Sequence, residues 1–267
     1  MCIAYLALAA HADWPVFIAA NRDEFHKRPT RPGGPWPDHP HIFSGIDLAA
    51  QGTWLGVTAQ GRYALLTNYR DLSIPMMPQA PSRGELVSNF LMGADTPPTY
   101  AQDVASRAHQ YNGFNLIVGD LTQAWYVGHQ GKQSSNTGRL EPGRYVLSNH
   151  LLDTPWPKAR RLRQALDHFP GPDLTSSFGD IFDILKDPTQ AADETLPNTG
   201  LSLERERLLS SPFIVSADYG TRCSTIIAIH TSGKAWFSEV TYDPQGRAIE
   251  RHDWPFDVQD QALQPAF

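Results

Sequence analysis

The chain has 267 residues, 41% of them hydrophobic and 19% charged, which supplies a sizeable core and excludes a largely disordered protein. Its net charge of -6, with basic residues scattered apart from Lys158, Arg160, Arg161 and Arg163, argues against a nucleic-acid partner. No run approaches the roughly 18 uncharged apolar residues of a membrane helix, no basic segment precedes the apolar start as in a secretion signal, and two cysteines make no disulfide framework, though they can pair if the fold brings them together.

In chain order, residues 2–10 and 16–23 are apolar runs separated by HADWP, whose Asp13 and Pro15 suit a turn, so they read as a hairpin. RPTRPGGPWPDHPH is too rich in proline and glycine for a helix or a central strand and is expected to form a long ordered loop or flap. TWLGVTAQGRYALLTNYRD gives a second hairpin turning at Gly61, with Asn68 near the end of its return strand. Ser82 with Glu85, and Thr99 with Gln102, have capping-box spacing and predict helices over LVSNFLMG and DVASRAHQY. FNLIVGD, AWYVGH and RYVLSN return to strand composition. Asp153 or Thr154 is then expected to cap a helix over PWPKARRLRQALDHF, with Pro155 in its first turn and its four basic residues on a solvated face. A helix over FGDIFDILK follows, and SPFIVSADYG, RCSTIIAIH, KAWFSEVTY and RAIERHDW are strand-like, with DPQG a turn.

Strands and helices do not alternate strictly, so a doubly wound parallel sheet fits poorly. The order predicts an α+β fold, a four-layer αββα sandwich of two mostly antiparallel sheets, formed by one domain over residues 1–267. Sheets covered on both faces explain runs such as STIIAI, which are apolar without alternation. The chain is expected to be cytoplasmic, with no integral membrane segment.

Signatures of common cofactor enzymes are missing from the sequence: it has no P-loop, no dinucleotide glycine fingerprint, no Gly-x-Ser-x-Gly elbow and no HExxH. His39 and His41 sit in the proline-rich segment without a nearby cysteine ligand, so no metal site is expected. Four polar stretches end apolar runs: Asn21-Arg22-Asp23-Glu24, Thr67-Asn68-Tyr69-Arg70, Ser148-Asn149-His150 and Thr221-Arg222-Cys223-Ser224. Cys2 joins them, because removal of the initiator methionine gives one residue both a thiol nucleophile and an α-amine base.

MC at the start, then NRDEF, GTWLG, TNYRD, SNHLLDTPWPK, LPNTG and YGTRCST, in that order, resemble the NRDE family, that of the transport and Golgi organization protein. The resemblance spans nearly the whole chain. It implies the fold of the N-terminal nucleophile hydrolases, with a plan most similar to the bile-salt hydrolase and penicillin V acylase group, which cleaves amide bonds. Carried over motif by motif, it implies Cys2 as nucleophile, Asp23 as holder of the α-amine, Asn68 and Asn149 as oxyanion-side amides and Arg222 as a late arginine. Asn21 and Arg22 complete the candidate catalytic set. One element departs from the acylases: their early arginine precedes the aspartate by three residues, a place held here by Ala20, while Arg22 directly precedes Asp23. Strand alternation puts Asn21 and Asp23 on one face and Arg22 with Glu24 on the other, so Arg22 and Asp23 both reach Cys2 only if the strand bends.

The expected chemistry is hydrolysis of an amide or thioester, with no cofactor required. The same resemblance implies an alternative, a non-catalytic carrier of haem or of a lipid or acyl ligand. Neither cysteine is followed by proline, as in haem-regulatory sequences. His150 is the histidine placed to act as a ligand, and Tyr69, Trp54 and Trp156 are the aromatic residues expected to line the cleft. The partner is thus a small amide, acyl or haem-like molecule.

Overall fold

The first two apolar runs pair as a hairpin: β1 (Cys2–Leu8) and β2 (Val16–Phe25) are antiparallel, with Cys2 opposite Arg22 and Leu8 opposite Val16. This computed structural model describes residues 2–131, 135–167 and 178–259. β3 (Thr30–Pro35), β4 (Ile42–Asp47), β5 (Leu55–Thr58) and β6 (Tyr63–Asn68) follow, then helices α1 (Gly84–Met92) and α2 (Pro97–Arg107). Four strands come next, β7 (Phe114–Gly119), β8 (Ala124–His129), β9 (Ser135–Leu140) and β10 (Gly143–Leu147). The chain continues with α3 (Pro157–Asp167), α4 (Gly179–Leu185) and α5 (Leu203–Leu208), and ends in β11 (Tyr219–Ile229), β12 (Lys234–Tyr242) and β13 (Ala248–Asp257).

These strands form two antiparallel sheets, ordered β10-β1-β2-β11-β12-β13 and β3-β4-β5-β6-β7-β8-β9. Alternation along β1 and β2 sorts their side chains into two cores. Ala4, Leu6, Val16 and Ile18 meet Val57, Leu65 and Ile117 of the second sheet. Ile3, Tyr5, Phe17 and Ala19 face Leu162 and Leu166 of α3 and Ile181 and Leu185 of α4. On the far side, Leu116 and Val118 pack against Leu86 and Phe90 of α1 and Val104 of α2. The layers are therefore helix, sheet, sheet and helix, as expected, and strands buried on both faces read as continuous apolar runs. No helix among the described residues is long and apolar enough to cross a membrane.

Several local expectations are corrected. The proline-rich segment contributes the edge strand β3, joined to β4 with a register shift between Arg31 and Gly34. An edge tolerates proline because one side of the strand donates no ladder hydrogen bonds. Gly33 allows the sheets to approach here, since a Cβ would lie 2.5 Å from the Phe237 ring and 2.9 Å from the Glu239 carboxyl carbon. Neither capping box forms. α1 begins after Arg83 and α2 after Thr96, both without a side-chain cap, and α2 starts on Pro97. Nor does Asp153 cap α3, because its Oδ1 accepts the Val146 N–H at 2.8 Å within a turn where its φ is 58°. Residues 211–218 form no strand.

Leu6 is fully buried between the sheets, whereas Ile249 on the edge strand β13 is 63% exposed. Leu6→Ala is expected to cost about 2–5 kcal/mol in urea unfolding, and Ile249→Ala to stay within about 0.5 kcal/mol.

Candidate functional site

Pairing of β2 with both neighbours places Cys2, Arg22 and Cys223 in one row across three strands, because Arg22 is opposite each cysteine. Directly opposed residues share a face, and this face is the one turned toward the second sheet. Both cysteines are free thiols. With β2 between them they stand two strand spacings apart, roughly 9.5 Å, too far for a disulfide.

Arg22 is fixed from several directions. Its guanidinium lies 4.1 Å over the Trp54 ring, donates to Thr30 Oγ1 at 3.1 Å and sits 3.9 Å from Asp47. Asp47 also binds Arg28 at 2.7 Å. Below Arg22, the buried Glu239 carboxylate accepts the Gly33 N–H at 2.6 Å and the Thr225 hydroxyl at 2.8 Å. Burial raises the Glu239 pKa above the ordinary carboxylate range and that of the neighbouring Cys223 thiol well above its ordinary value.

A cavity of about 330 Å³ opens at this row, with Cys2, Arg22, Asp23, Trp54, Asn68 and Arg83 in its wall. Burial pushes the Cys2 thiol up, helped by the Asp23 carboxylate, while the Arg22 guanidinium and the Asp23 backbone N–H favour the thiolate. A second cavity of about 210 Å³ shares Asn68, Arg83 and Asn112 with the first and is walled by Leu72, Ile74, Met76 and Met77.

Asp23 and Asn21 follow the alternation. Asp23 Oδ1 accepts the Thr221 hydroxyl at 2.7 Å on the opposite face from Arg22, yet Asp23 still forms part of the cavity wall near the strand end. Asn21 is turned to the helical layer. Its Nδ2 donates to the carbonyls of Leu185 at 2.8 Å and Pro212 at 2.9 Å, and its Oδ1 accepts the Ser224 hydroxyl at 2.6 Å. Arg222 lies at the bulge between Thr221 and Cys223, and donates to the carbonyls of Phe25 at 3.0 Å and Arg28 at 3.2 Å. It holds the turn after β2 and is not part of the Cys2 cavity wall.

The remaining motifs meet at the same end of the sandwich. Asn149, fully buried, donates from Nδ2 to the Asn68 carbonyl at 3.1 Å, and its own carbonyl accepts the Arg70 N–H at 2.8 Å. Arg70 lies 4.7 Å over the Trp156 ring and donates to Glu206 at 3.1 Å. Glu206 in turn accepts the Thr199 N–H at 2.9 Å, which ties LPNTG to TNYRD. His150 stands between the Tyr69 and Trp156 rings, 5.0 and 5.6 Å away by centroid. Its Nε2 is 3.0 Å from the Tyr69 hydroxyl and its Nδ1 is 2.9 Å from the Thr154 hydroxyl. The four expected ligand-contacting residues thus divide: Trp54 accompanies Cys2, while Tyr69, His150 and Trp156 cluster behind Arg70.

Lys158 corrects the reading of its helix as a solvated basic face. Arg160 and Arg161 are exposed, but Lys158 is only 1% exposed and its Nζ donates to Asn149 Oδ1 at 3.4 Å. Burial lowers its pKa to about 8 against the opposing pull of Asp23. A signal was present, because Lys158 continues at four-residue steps the buried stripe of Leu162 and Leu166. Glu206 and Glu239 were likewise absent from the expected site, and Arg70, though part of a polar stretch, had no role assigned to it. His39 is half-buried and His41 exposed, and no group of metal-ligating side chains occurs among the described residues.

Residues 1–244 match the family described as Transport and Golgi organisation 2. The Transport and Golgi organization 2 homolog of Mus musculus is 34% identical over 239 residues, spanning 84% of this chain and 85% of its own. The Transport and Golgi organization protein 2 of Drosophila melanogaster is 23% identical over 279 residues, spanning 94% and 97%. Among solved structures, a mutant of the conjugated bile acid hydrolase from Clostridium perfringens aligns with a TM-score of 0.50 at 10% identity, over 97% of this chain and 98% of that one. This likeness shows the N-terminal nucleophile hydrolase fold.

The Lys158 pKa, about 8 when folded against an ordinary 10.5, means that the unfolded chain binds the extra proton between those values. Its contribution to stability therefore improves as pH rises through that window. Urea unfolding from pH 8 to 10.5 is expected to show wild type gaining stability relative to Lys158→Met.

Proposed function

The chain belongs to the Transport and Golgi organisation 2 family, and we propose that it is a cysteine-dependent hydrolase of an amide or thioester, with Cys2 as the nucleophile. The observation that carries this reading is the row formed by Cys2 and Arg22 at the mouth of a cavity that also holds Asn68. A partly buried thiol resists ionisation and needs both a base and a positive neighbour. Arg22 is the neighbour. The base is the α-amine that Cys2 gains on removal of Met1, with an ordinary pKa of about 7.7, and Asp23 is the carboxylate that holds it.

In the acylation step the α-amine takes the Cys2 thiol proton, the sulfur bonds to the substrate carbonyl carbon, and the carbonyl electron pair moves to oxygen. Asn68 Nδ2 and backbone N–H groups receive that oxyanion. As the pair returns, the bond to the leaving amine or thiol breaks and the α-ammonium supplies its proton. Water then gives a proton to the α-amine as it adds to the acyl-cysteine, the C–S bond breaks, and the carboxylic acid leaves while the α-ammonium returns that proton to the sulfur. Asn149 Nδ2 points at the Asn68 carbonyl, so in this mechanism it supports the cavity wall. The apolar part of the substrate occupies the adjoining cavity beside Leu72, Ile74 and Met77.

That adjoining cavity also favours a second reading, a carrier that holds an acyl or haem-like ligand without turning it over. A haem bound through His150 would displace one of the hydroxyl groups already on its ring nitrogens. Substitution of Cys2 separates the two readings, since a carrier keeps its ligand without the thiol.

Intact mass after treatment with a thiol-directed acyl probe is expected to show loss of Met1 and one label per chain, with Cys2→Ala folded and unlabelled. Retained Met1 with no Cys2-dependent label would overturn the hydrolase reading. Asn68→Ala is expected to slow turnover of the responsive amide or thioester by roughly 100- to 1000-fold, the usual cost of one oxyanion donor.

A further inference from the structure

We propose that Lys158 is a positioning residue of the Cys2 centre: its buried ammonium fixes the Asn149 side-chain amide in one orientation, and through it the Asn68 segment of the cavity wall. The inference rests on the reading of Cys2 as the reactive centre and adds to it a residue from outside the expected set.

The placement of Lys158 is costly on two counts. Lysine is almost never fully buried unless paired, and a cation near a helix N-terminus opposes the helix dipole. Lys158 is the second residue of α3 and is 1% exposed. The groups around it explain its retention. Asp23 from β2, Cys2 from β1 and Glu206 from α5 favour its charge, Arg70 from the segment after β6 opposes it, and Asn149 from the segment after β10 accepts its hydrogen bond.

The consequence for Asn149 follows from donor and acceptor types. An ammonium only donates, so it must meet Oδ1 and not Nδ2. Nδ2 is then directed at the Asn68 carbonyl, 3.1 Å away, and Asn68 stands in the cavity wall with Cys2. A neutral amine has a lone pair and exerts no such selection, so when Lys158 loses its proton the amide keeps one of its two orienting contacts, that to the Asn68 carbonyl, and the lock is weakened. The lowered Lys158 pKa, about 8, brings that event close to neutral pH. The same cation lies near enough to act electrostatically on the thiol, so that its loss disfavours the thiolate.

The test uses full-length wild type, Lys158→Met and Lys158→Arg. Two readouts are followed across pH 6 to 10, the rate of Cys2 alkylation by iodoacetamide and the side-chain amide resonances of Asn149 by NMR. Lys158→Met is expected to move the alkylation midpoint upward, with roughly tenfold slower alkylation near neutral pH and an unchanged plateau, while Lys158→Arg keeps the wild-type midpoint. In wild type the Asn149 resonances should shift as Lys158 titrates, and that shift should vanish in Lys158→Met. A wild-type midpoint in Lys158→Met, or Asn149 resonances that do not respond to pH in wild type, overturns the proposal. If Cys2 of folded wild type resists alkylation at every pH, the hydrolase reading falls, and the Asn149 titration alone decides the role of Lys158. If Lys158→Met does not fold, the wild-type titration and Lys158→Arg decide it.

Discussion

Arg22 is the side chain on which the geometry of this molecule turns. Its backbone belongs to β2, at the centre of the first sheet, but its guanidinium is spent on the second, where it lies on Trp54 and reaches Thr30 and Asp47. Such an arrangement is stable only where stacking and hydrogen bonds replace the lost water. Glu239 makes a comparable crossing in the same layer, from β12 to the Gly33 N–H of β3. These polar ties fasten the sheets together at the end where Cys2 lies, and apolar side chains of both sheets fill the space behind them. The cavity owes its shape to that fastening.

From this anchor the polar sequence stretches become parts of one object. NRDE lies along the strand that carries Arg22. TNYRD and SNH meet through Asn68, Arg70 and Asn149, and LPNTG closes the set through Thr199 and Glu206. Glu206, Arg70, Lys158 and Asp23 alternate enough in sign to bury several charges together, and Asn149 joins them to the cavity wall. A network of this kind favours a single arrangement of its members, because breaking any link strands a buried polar group.

The layered fold was legible because its cause, burial of both faces of each sheet, is written directly into β1, β2 and β11 as unbroken apolar runs. The polar stretches were legible as well, since each ends such a run. What escaped had weaker or contrary signals. β3 looked like a loop because prolines suit an edge, and β9, with the sequence SNTGRL, is a largely polar edge strand with no apolar face to betray it. α5 spans six residues and its buried residue is Glu206, an acid in place of the usual apolar stripe. Lys158 was assigned by its charge to the solvent side of its helix, although its spacing from Leu162 and Leu166 placed it inside. The orientation of Asn21 followed from strand parity, but only the structure shows its amide spent on the carbonyls of Leu185 and Pro212.

Two open sheets also leave free edges, and an exposed strand edge invites another chain to add to it. Pro32 and Pro35 interrupt β3 on one flank. Pro255, together with Glu250, Arg251 and Asp253, does the same along β13 on another. The residues that made β3 unreadable as a strand thus act as guards against fibrous association, and the edge keeps its role in the sandwich without recruiting copies of itself.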